Sequence, residues 1–429
     1  MISKLSKKNQ IILLIVFSFG IISNLIFAYD ETIVHPTLIE EAAKLYNFNF
    51  SDNLAEEEIG WIRQGSIDED KVWGGIRQIR SSNHFYNPFG ITQWKDSNLN
   101  DKISASFSGG IGNGSKIWAH DSVAQSEYIG GDYTWERAIY DYVNGDKQHA
   151  YESLGHILHL IEDMTVPAHT RNDFHLSPKE LEAYQDWLVI RNFVDYEPYE
   201  TWTGNKAKSG NLKFDFADNL FQENKKPIIL SNLDAYFDNV AGYANNNFFS
   251  KDTIYVYSEP NNKITREEEK IIDNKILRYA YGNDEYSQEY KLAYFVYEQN
   301  NVSKKLEKKY IVSNDTPEIH SDYWSRLAPK SILAGAGIIN LFKIEAEKAK
   351  NSKIALEKPD DYKSYYFIDP VNKKVDEVKS SAIAFYDWGK AAAVAAYNAA
   401  KSTVVAAYDA VKTTTITVFN KTKTGLQLA

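Results

Sequence analysis

The chain has 429 residues, which is long for a single core, and its 48 Lys and Arg against 58 Asp and Glu give a net charge of −10. Such an acidic balance offers no global basic surface of the kind that duplex DNA binding needs. Cysteine is absent, which excludes disulfides, iron–sulfur clusters, thiolate zinc sites and a cysteine nucleophile. Any metal site must therefore use nitrogen and oxygen ligands.

The N-terminus has the pattern of an export signal. Three lysines within the first eight residues precede an apolar run over residues 11–28, and polar residues resume after Ala28. This pattern predicts a signal peptide over residues 1–28 and a mature protein that is secreted, to the extracellular space or the periplasm. An uncleaved membrane anchor is the alternative, because the run approaches the length that spans a bilayer.

The body that follows is predicted to be mainly α-helical. Apolar residues recur at helical spacing in residues 37–45, 136–143, 151–164, 233–249 and 332–349. The last of these helices is expected to begin after Pro329. Residues 251–313 are mixed and lysine-rich, with strand-like segments at 293–297 and 310–312, so a small β-containing insertion is expected there.

The C-terminal part has a separate pattern. A polar connector over residues 351–380 leads to residues 381–429, where aromatic residues recur every 11 residues, at Tyr386, Tyr397, Tyr408 and Phe419. Since an 11-residue period is close to that of a straight α-helix, we predict an amphipathic helical tail. Its apolar stripe, edged by lysines, suits contact with a lipid surface. Packing on the body of the protein, or self-association, is the alternative.

The centre of the chain carries the residues with the clearest chemical meaning. His159 and Asp163 lie four residues apart in an apolar helix and therefore share one helix face. A buried imidazole beside a buried carboxylate is costly unless something compensates both groups, and a divalent metal does so. Pro167 ends the helix, and His169 and His175 follow it. A buried hydrogen bond without metal is the alternative, but five of the nine histidines fall in one series, which favours a metal site.

This series resembles a known family. The spacing His159-x3-Asp163-x5-His169, with a proline two residues before the last histidine, is similar to the central motif of bacterial zinc-dependent phospholipases C and the related three-zinc single-strand nucleases. The resemblance covers roughly residues 29–350 and identifies them as the catalytic domain. It implies an all-helical fold with three zinc ions at the bottom of a cleft.

The resemblance extends upstream of the central motif. Residues 83–88 are similar to the family's His–aromatic–aromatic–Asp–Pro segment, with Asn87 in place of the family's Asp. Asp70, which precedes His84 by 14 residues, stands where the family has a metal-binding Asp. His35 matches the family's N-terminal histidine.

The resemblance also implies which residues hold each ion. The implied ligands are Asp70, His84, His159 and Asp163 for the first zinc, Tyr29, His35 and the shared Asp163 for the second, and His169, His175 and a carboxylate for the third. The family carries that carboxylate four residues after its last histidine, where this chain has Lys179. Glu182 is therefore expected to take its place, with Asp186 as the alternative.

The function implied is zinc-dependent hydrolysis of phosphodiesters, with a metal-activated water as nucleophile and Asp70 as its proton acceptor. Phospholipase C activity on phospholipids at a membrane surface is favoured. A single-strand nuclease or nucleotidase with the same two or three zinc ions is one alternative, although the acidic net charge weighs against nucleic acid as the substrate. A non-catalytic, zinc-stabilised binding protein is the other, and the lysine at position 179 is the reason to consider it.

We predict that export releases Tyr29 as the new N-terminus, because the polar sequence resumes there. N-terminal sequencing of the secreted protein should begin at this residue, which would then offer its free amino group as a ligand of the second zinc. A chain that still begins at Met1 and sediments with membranes would instead establish the anchor.

Overall fold

The computed structural model describes residues 32–352, apart from 72–79, 90–113, 127–129, 174–196, 252, 255–262, 273–274, 286 and 301–303. The chain divides into two compact units, residues 1–363 and 364–429, and every described residue belongs to the first. The predicted signal peptide, Tyr29, the greater part of the connector and the helical tail therefore lie outside the described residues.

Helices make up most of the described chain, and one small sheet interrupts them. In chain order the elements are α1 (Val34–Asn49), α2 (Glu56–Glu69), a 3-10 turn (Arg80–Asn83), α3 (Ser115–Trp118), α4 (Ser122–Gln125), α5 (Trp135–Asn144), α6 (Lys147–Asp163), α7 (Pro167–Thr170), α8 (Pro198–Lys208), α9 (Phe216–Gln222), α10 (Leu233–Asn247), β1 (Arg266–Ile272), β2 (Lys275–Asn283), β3 (Glu289–Gln299), β4 (Leu306–Ile311) and α11 (Pro317–Asn351). The predicted fold class, mainly α with a small β-containing insertion, is confirmed.

Helix α6 is the central element of the fold. Every residue from Ser153 to Asp163 is buried, and α1, α2, α5 and α11 pack around it. The connection from α5 is tight: Gly145 takes the left-handed conformation, with φ of 94°, and ends α5. Asp146 then caps α6 by accepting a hydrogen bond from the His149 amide. This capped start fixes where the buried face of α6 presents its side chains.

Helices α2 and α6 approach each other with their backbones almost in contact. A Cβ atom on Gly65 would lie 1.9 Å from the Glu152 carbonyl oxygen, and one on Gly155 would lie 2.0 Å from the Ile62 carbonyl oxygen. Real Cβ atoms do not approach that closely, so only glycine fits at either position. The pair brings the C-terminal end of α2 beside the C-terminal half of α6.

The four strands form an antiparallel sheet in the order β1-β2-β3-β4. The strand-like segments at 293–297 and 310–312 lie in β3 and β4, except that β4 ends one residue before Val312. One face of the sheet meets α11, where the Tyr323 hydroxyl donates to the Leu292 carbonyl at 2.7 Å. The edges also touch through side chains: Glu267 on β1 accepts hydrogen bonds from Lys308 at 2.5 Å and Tyr310 at 2.7 Å, both on β4.

Helix α11 departs from the sequence prediction. The expectation that it begins after Pro329 is wrong, since α11 starts at Pro317 and carries Pro329 inside it. A proline removes one hydrogen bond from a helix interior, but Leu327, Ala328 and Ile332 on either side are fully buried, and this packing offsets the loss. Among the described helices, α11 alone is long and apolar enough to cross a membrane, yet 78% of its most apolar window is buried inside the protein, as in a core helix.

The glycine contact yields a stability prediction. Gly65→Ala should lower the free energy of unfolding by about 1–3 kcal/mol, because the new methyl group overlaps the backbone of α6. Gly60→Ala is the matched control in the same helix, since a Cβ there meets nothing within 4 Å. It should raise stability by about 0.5–1 kcal/mol through helix propensity. Thermal unfolding of the two variants measures the difference, and equal shifts in Tm would contradict the close contact.

Candidate metal centre

The described structure brings six of the predicted ligand residues to one buried place. They come from the first turn of α1, the end of α2, the loop after the 3-10 turn, α6 and α7, and they are His35, Asp70, His84, His159, Asp163 and His169. All are buried except Asp70, whose side chain is 10% exposed. Residues far apart in sequence therefore converge because α1 and α2 pack on α6.

Four of these side chains surround one point. The Nε2 atom of His159 lies 3.5 Å from both Asp70 Oδ1 and Asp163 Oδ2. The Nδ1 atom of His84 lies 3.5 Å from Asp70 Oδ1 and 2.8 Å from Asp163 Oδ2. Two ligand atoms each 2.0–2.1 Å from a tetrahedral zinc ion are separated by about 3.3–3.4 Å. The three separations of 3.5 Å are close to this value, whereas the 2.8 Å contact between His84 and Asp163 is shorter, as in a hydrogen-bonded pair.

His159 supports the same interpretation. It is fully buried, its Nδ1 has no hydrogen-bond partner, and its Nε2 has only the two carboxylate oxygens at 3.5 Å, at the limit of a hydrogen bond. A buried polar atom without a hydrogen bond costs about 1–3 kcal/mol, so the position of this ring needs a further explanation. An ion coordinated by Nε2 supplies one. The oxygen and nitrogen donors, with no sulfur among them, are also those that zinc accepts.

The carboxylates of the cluster favour positive charge near them. Burial lowers the pKa of the His84 and His159 rings, but the facing carboxylates of Asp163 and Asp70 outweigh it, and the pKa of both rings is raised. Burial likewise raises the pKa of the Asp70 and Asp163 carboxyls, yet the histidines around them bring both below the usual range. The two carboxylates thus favour positive charge on the rings that face them, and a divalent cation would supply such charge.

A second group of donors lies on the other side of Asp163. Its Oδ1 atom is 3.6 Å from His35 Nε2 and 3.4 Å from His169 Nδ1. His35, His159 and Asp163 can each place a donor atom within 4.8 Å of the others. Burial, followed by the charge of His159, lowers the pKa of His35 to about 3, so its ring is neutral, the form that coordinates metals.

Glu200 extends the cluster beyond the residues that the sequence singled out. It lies in the first turn of α8, is 2% exposed, and places Oε1 3.0 Å from His169 Nε2. Glu197 caps α8 by accepting a hydrogen bond from the Glu200 amide at 2.9 Å, which fixes this first turn. The structure therefore sets a carboxylate against His169, as the third predicted site requires.

A second set of buried polar residues stands behind His84. The His84 Nε2 atom lies 3.3 Å from Glu69 Oε1, and Trp118 Nε1 donates to the same oxygen at 2.9 Å. Arg80 Nε donates to the other oxygen at 2.6 Å, and His156 Nδ1 also contacts it. Burial raises the pKa of the Glu69 carboxyl, but Arg80 and the two rings outweigh it, and the pKa falls well below the usual range. Glu69 is thus a buried anion with a donor on every side.

The other predicted ligands lie outside the described residues. These are Tyr29, His175, Glu182 and Asp186. Asn87, in the position where the resembled family has Asp, accepts a hydrogen bond at its Oδ1 from the Phe89 amide at 3.0 Å, which turns the loop. That the six converging residues bind metal remains a prediction, which their geometry supports.

Sequence reasoning missed the acidic residues that complete the site. No separate role was predicted for Glu69 or Glu162, because each directly precedes a predicted ligand, Asp70 or Asp163. The repeated Glu-Asp pair was the available signal. Glu200 gave none, since its relation to His169 arises only when α8 packs beside α7. His156 lies one turn before His159 in α6, and its contact with Glu69 connects it to the site.

Comparisons with known proteins find distant structural likenesses. No protein-family model matches the chain, and no curated protein matches it. The alpha toxin from Clostridium absonum has a TM-score of 0.34 and 13% identity, covering 76% of this chain and 67% of the toxin. The alpha-toxin from an avian strain of Clostridium perfringens has a TM-score of 0.32 and 12% identity, covering 76% and 66%. Likenesses this distant decide nothing about activity, which must be argued from the side chains of the site.

The raised pKa values of His84 and His159 predict that zinc affinity falls as the pH falls, because each ring must lose a proton before it binds. We expect the affinity to drop by about tenfold per pH unit for each proton displaced. Competition with a chromophoric chelator between pH 8 and pH 6 measures the dependence, and calorimetry in buffers of different ionisation enthalpy counts the protons released. A constant affinity across this range would contradict the assignment.

Proposed function

We propose that the protein is a secreted, zinc-dependent phosphodiester hydrolase, with phospholipids as its preferred substrates. The observation that carries the proposal is the set of four buried donor atoms, on Asp70, His84, His159 and Asp163. Three of their separations are 3.5 Å, close to the edge of a zinc coordination tetrahedron, and the fourth is 2.8 Å. Such sets of nitrogen and oxygen donors are typical of hydrolytic rather than structural zinc sites, which use cysteine in most cases.

The residues would divide among the ions as follows. Asp70, His84, His159 and Asp163 would hold the first, His35 and Asp163 the second together with Tyr29, and His169 and Glu200 the third together with His175. Zinc ions in such sites lower the pKa of bound water and neutralise phosphate charge. Glu200 takes the place that the sequence prediction gave to Glu182.

Asp70 has the properties of a proton acceptor in this reaction. Its side chain is the most exposed of the six, at 10%, so water can reach it. The neighbouring histidines, acting against burial, lower its pKa, so it is an anion with a free lone pair at neutral pH, although a weak base. Asp163, at 2% exposure and in contact with histidines on both sides, is suited to holding the site together instead.

Phospholipid is preferred over nucleic acid as the substrate class on two grounds. The net charge of −10 repels a polyanion. The repeat pattern of residues 381–429 carries five lysines, two aspartates and no glutamate beside an apolar stripe, which suits an anionic lipid surface. Neither ground excludes a small nucleotide substrate, so the experiment includes one.

The test compares metal content and hydrolysis in one preparation of the secreted chain. Phosphatidylcholine vesicles, single-stranded RNA and a nucleoside monophosphate are offered as substrates, before and after chelation and with zinc restored. We expect vesicle hydrolysis that is lost on chelation and recovered with zinc. His159→Ala should lose bound zinc and at least about a hundredfold in rate, and Glu200→Gln should lose one equivalent of zinc.

His320→Gln is the control for these variants, because His320 is also buried but bonds to the Ser313 carbonyl, away from the cluster. It should keep its zinc and its rate. Cleavage of RNA or nucleotide without any cleavage of lipid would replace the phospholipase proposal with the nuclease alternative. Bound zinc without hydrolysis of any substrate would leave the non-catalytic binding protein.

A further inference from the structure

Two Glu-Asp pairs at the site are used in the same way. Glu69-Asp70 stands where α2 ends, and Glu162-Asp163 stands where α6 ends. In each pair the Asp faces the cluster of donor atoms, while the Glu before it turns to a histidine. The function proposed above gives the two glutamates no role.

The two histidines are held through opposite ring nitrogens. Glu69 Oε1 meets His84 at Nε2, which leaves Nδ1 toward Asp70 and Asp163. Glu162 Oε2 meets His35 at Nδ1, at 2.7 Å, which leaves Nε2 toward Asp163. An ionised glutamate that accepts from one ring nitrogen places the proton there, so the other nitrogen keeps its lone pair for a metal. Burial and the charge of Asp163 raise the pKa of Glu162, so the arrangement at His35 requires Glu162 to ionise when a cation binds beside it.

Glu69 is itself prevented from turning. One of its oxygens accepts a hydrogen bond from Trp118 Nε1, and the other accepts one from Arg80 Nε. The Arg80 guanidinium is held in place by two further hydrogen bonds, to Gln125 Oε1 at 2.7 Å and to the Gly131 carbonyl at 3.3 Å. Arg80 also lies 5.0 Å from the Trp118 ring centre. A carboxylate so fixed holds its histidine in one orientation and one tautomer.

We propose that Glu69 and Glu162 are positioning residues that set His84 to bind its metal ion through Nδ1 and His35 to bind through Nε2. The proposal rests on the function proposed above only in taking the cluster to hold metal. In each Glu-Asp pair, the glutamate determines which ring nitrogen of its histidine carries the proton, and the aspartate contributes a ligand atom.

The test reads the tautomers directly in the zinc-loaded chain. With histidine-selective ¹⁵N labelling, the His84 and His35 signals are identified by their loss in His84→Gln and His35→Gln. We expect the remaining proton on Nε2 of His84 and on Nδ1 of His35. A zinc-bound His84 that carries its proton on Nδ1, or a wild-type chain that binds no zinc, would overturn the proposal.

Zinc affinity of variants gives the second reading. Glu69→Gln should weaken binding by about 10–100-fold and mix the His84 tautomers. Trp118→Phe, which removes one donor to Glu69 and keeps a ring in place, should weaken it by less. Unchanged affinity and tautomers in Glu69→Gln would show that the glutamate serves stability alone.

Asp141 provides the matched control. It is buried and accepts from Arg137 Nε at 2.6 Å and His149 Nδ1 at 2.6 Å, the same Arg–carboxylate–His arrangement, yet neither of these partners is one of the six predicted ligands that the structure describes. Asp141→Asn should lower the Tm and leave zinc affinity and tautomers unchanged. An equal loss of zinc affinity in Asp141→Asn would refute a positioning role. Because hydrolysis is not measured, an inactive but zinc-binding protein would count against the proposed function and not against this inference.

Discussion

The buried carboxylate of Asp163 is the interaction on which the arrangement of the site depends. It lies within 3.6 Å of His35, His84, His159 and His169, which come from different segments of the chain. An isolated anion at 1% exposure would be prohibitively costly. If one of the segments that carry the histidines moved away, the Asp163 carboxylate would lose a partner and the folded state would be destabilised. A substitution in one segment should therefore also affect the positions of the other histidines, because all of them contact Asp163.

Much of the fold could be predicted from the sequence, because the spacing of apolar residues along a helix follows the face of the helix that is buried. The helices α5 and α10 lie within a residue or two of the stretches predicted from apolar spacing. Where local rules misled, tertiary packing had overridden them. Pro329 is a strong local signal for a helix end, but the buried contacts of α11 on both sides carry the helix through it.

The candidate site divides in the same way. His159, Asp163 and His169 were predicted because residues at this spacing, in one helix and the turn after it, lie close together in space. The residues that the sequence did not reveal, Glu69 and Glu200, act across the contacts between helices, so no local spacing encodes them. The burial and the hydrogen bonds of these two glutamates arise only when α2 and α8 pack against their neighbours.

The small sheet has a consequence for the resistance of the protein to aggregation. Its exposed edges would ordinarily be templates on which other chains add strands. Here β1 is rich in glutamate and β4 in lysine, and Glu267 links the two edges by accepting from Lys308 and Tyr310. Opposite edges that meet through side chains require a strongly curled sheet, and a curled, charged edge pairs poorly with a flat partner. These strands would thereby resist edge-to-edge association, to which helices, with their internally paired backbones, are not open.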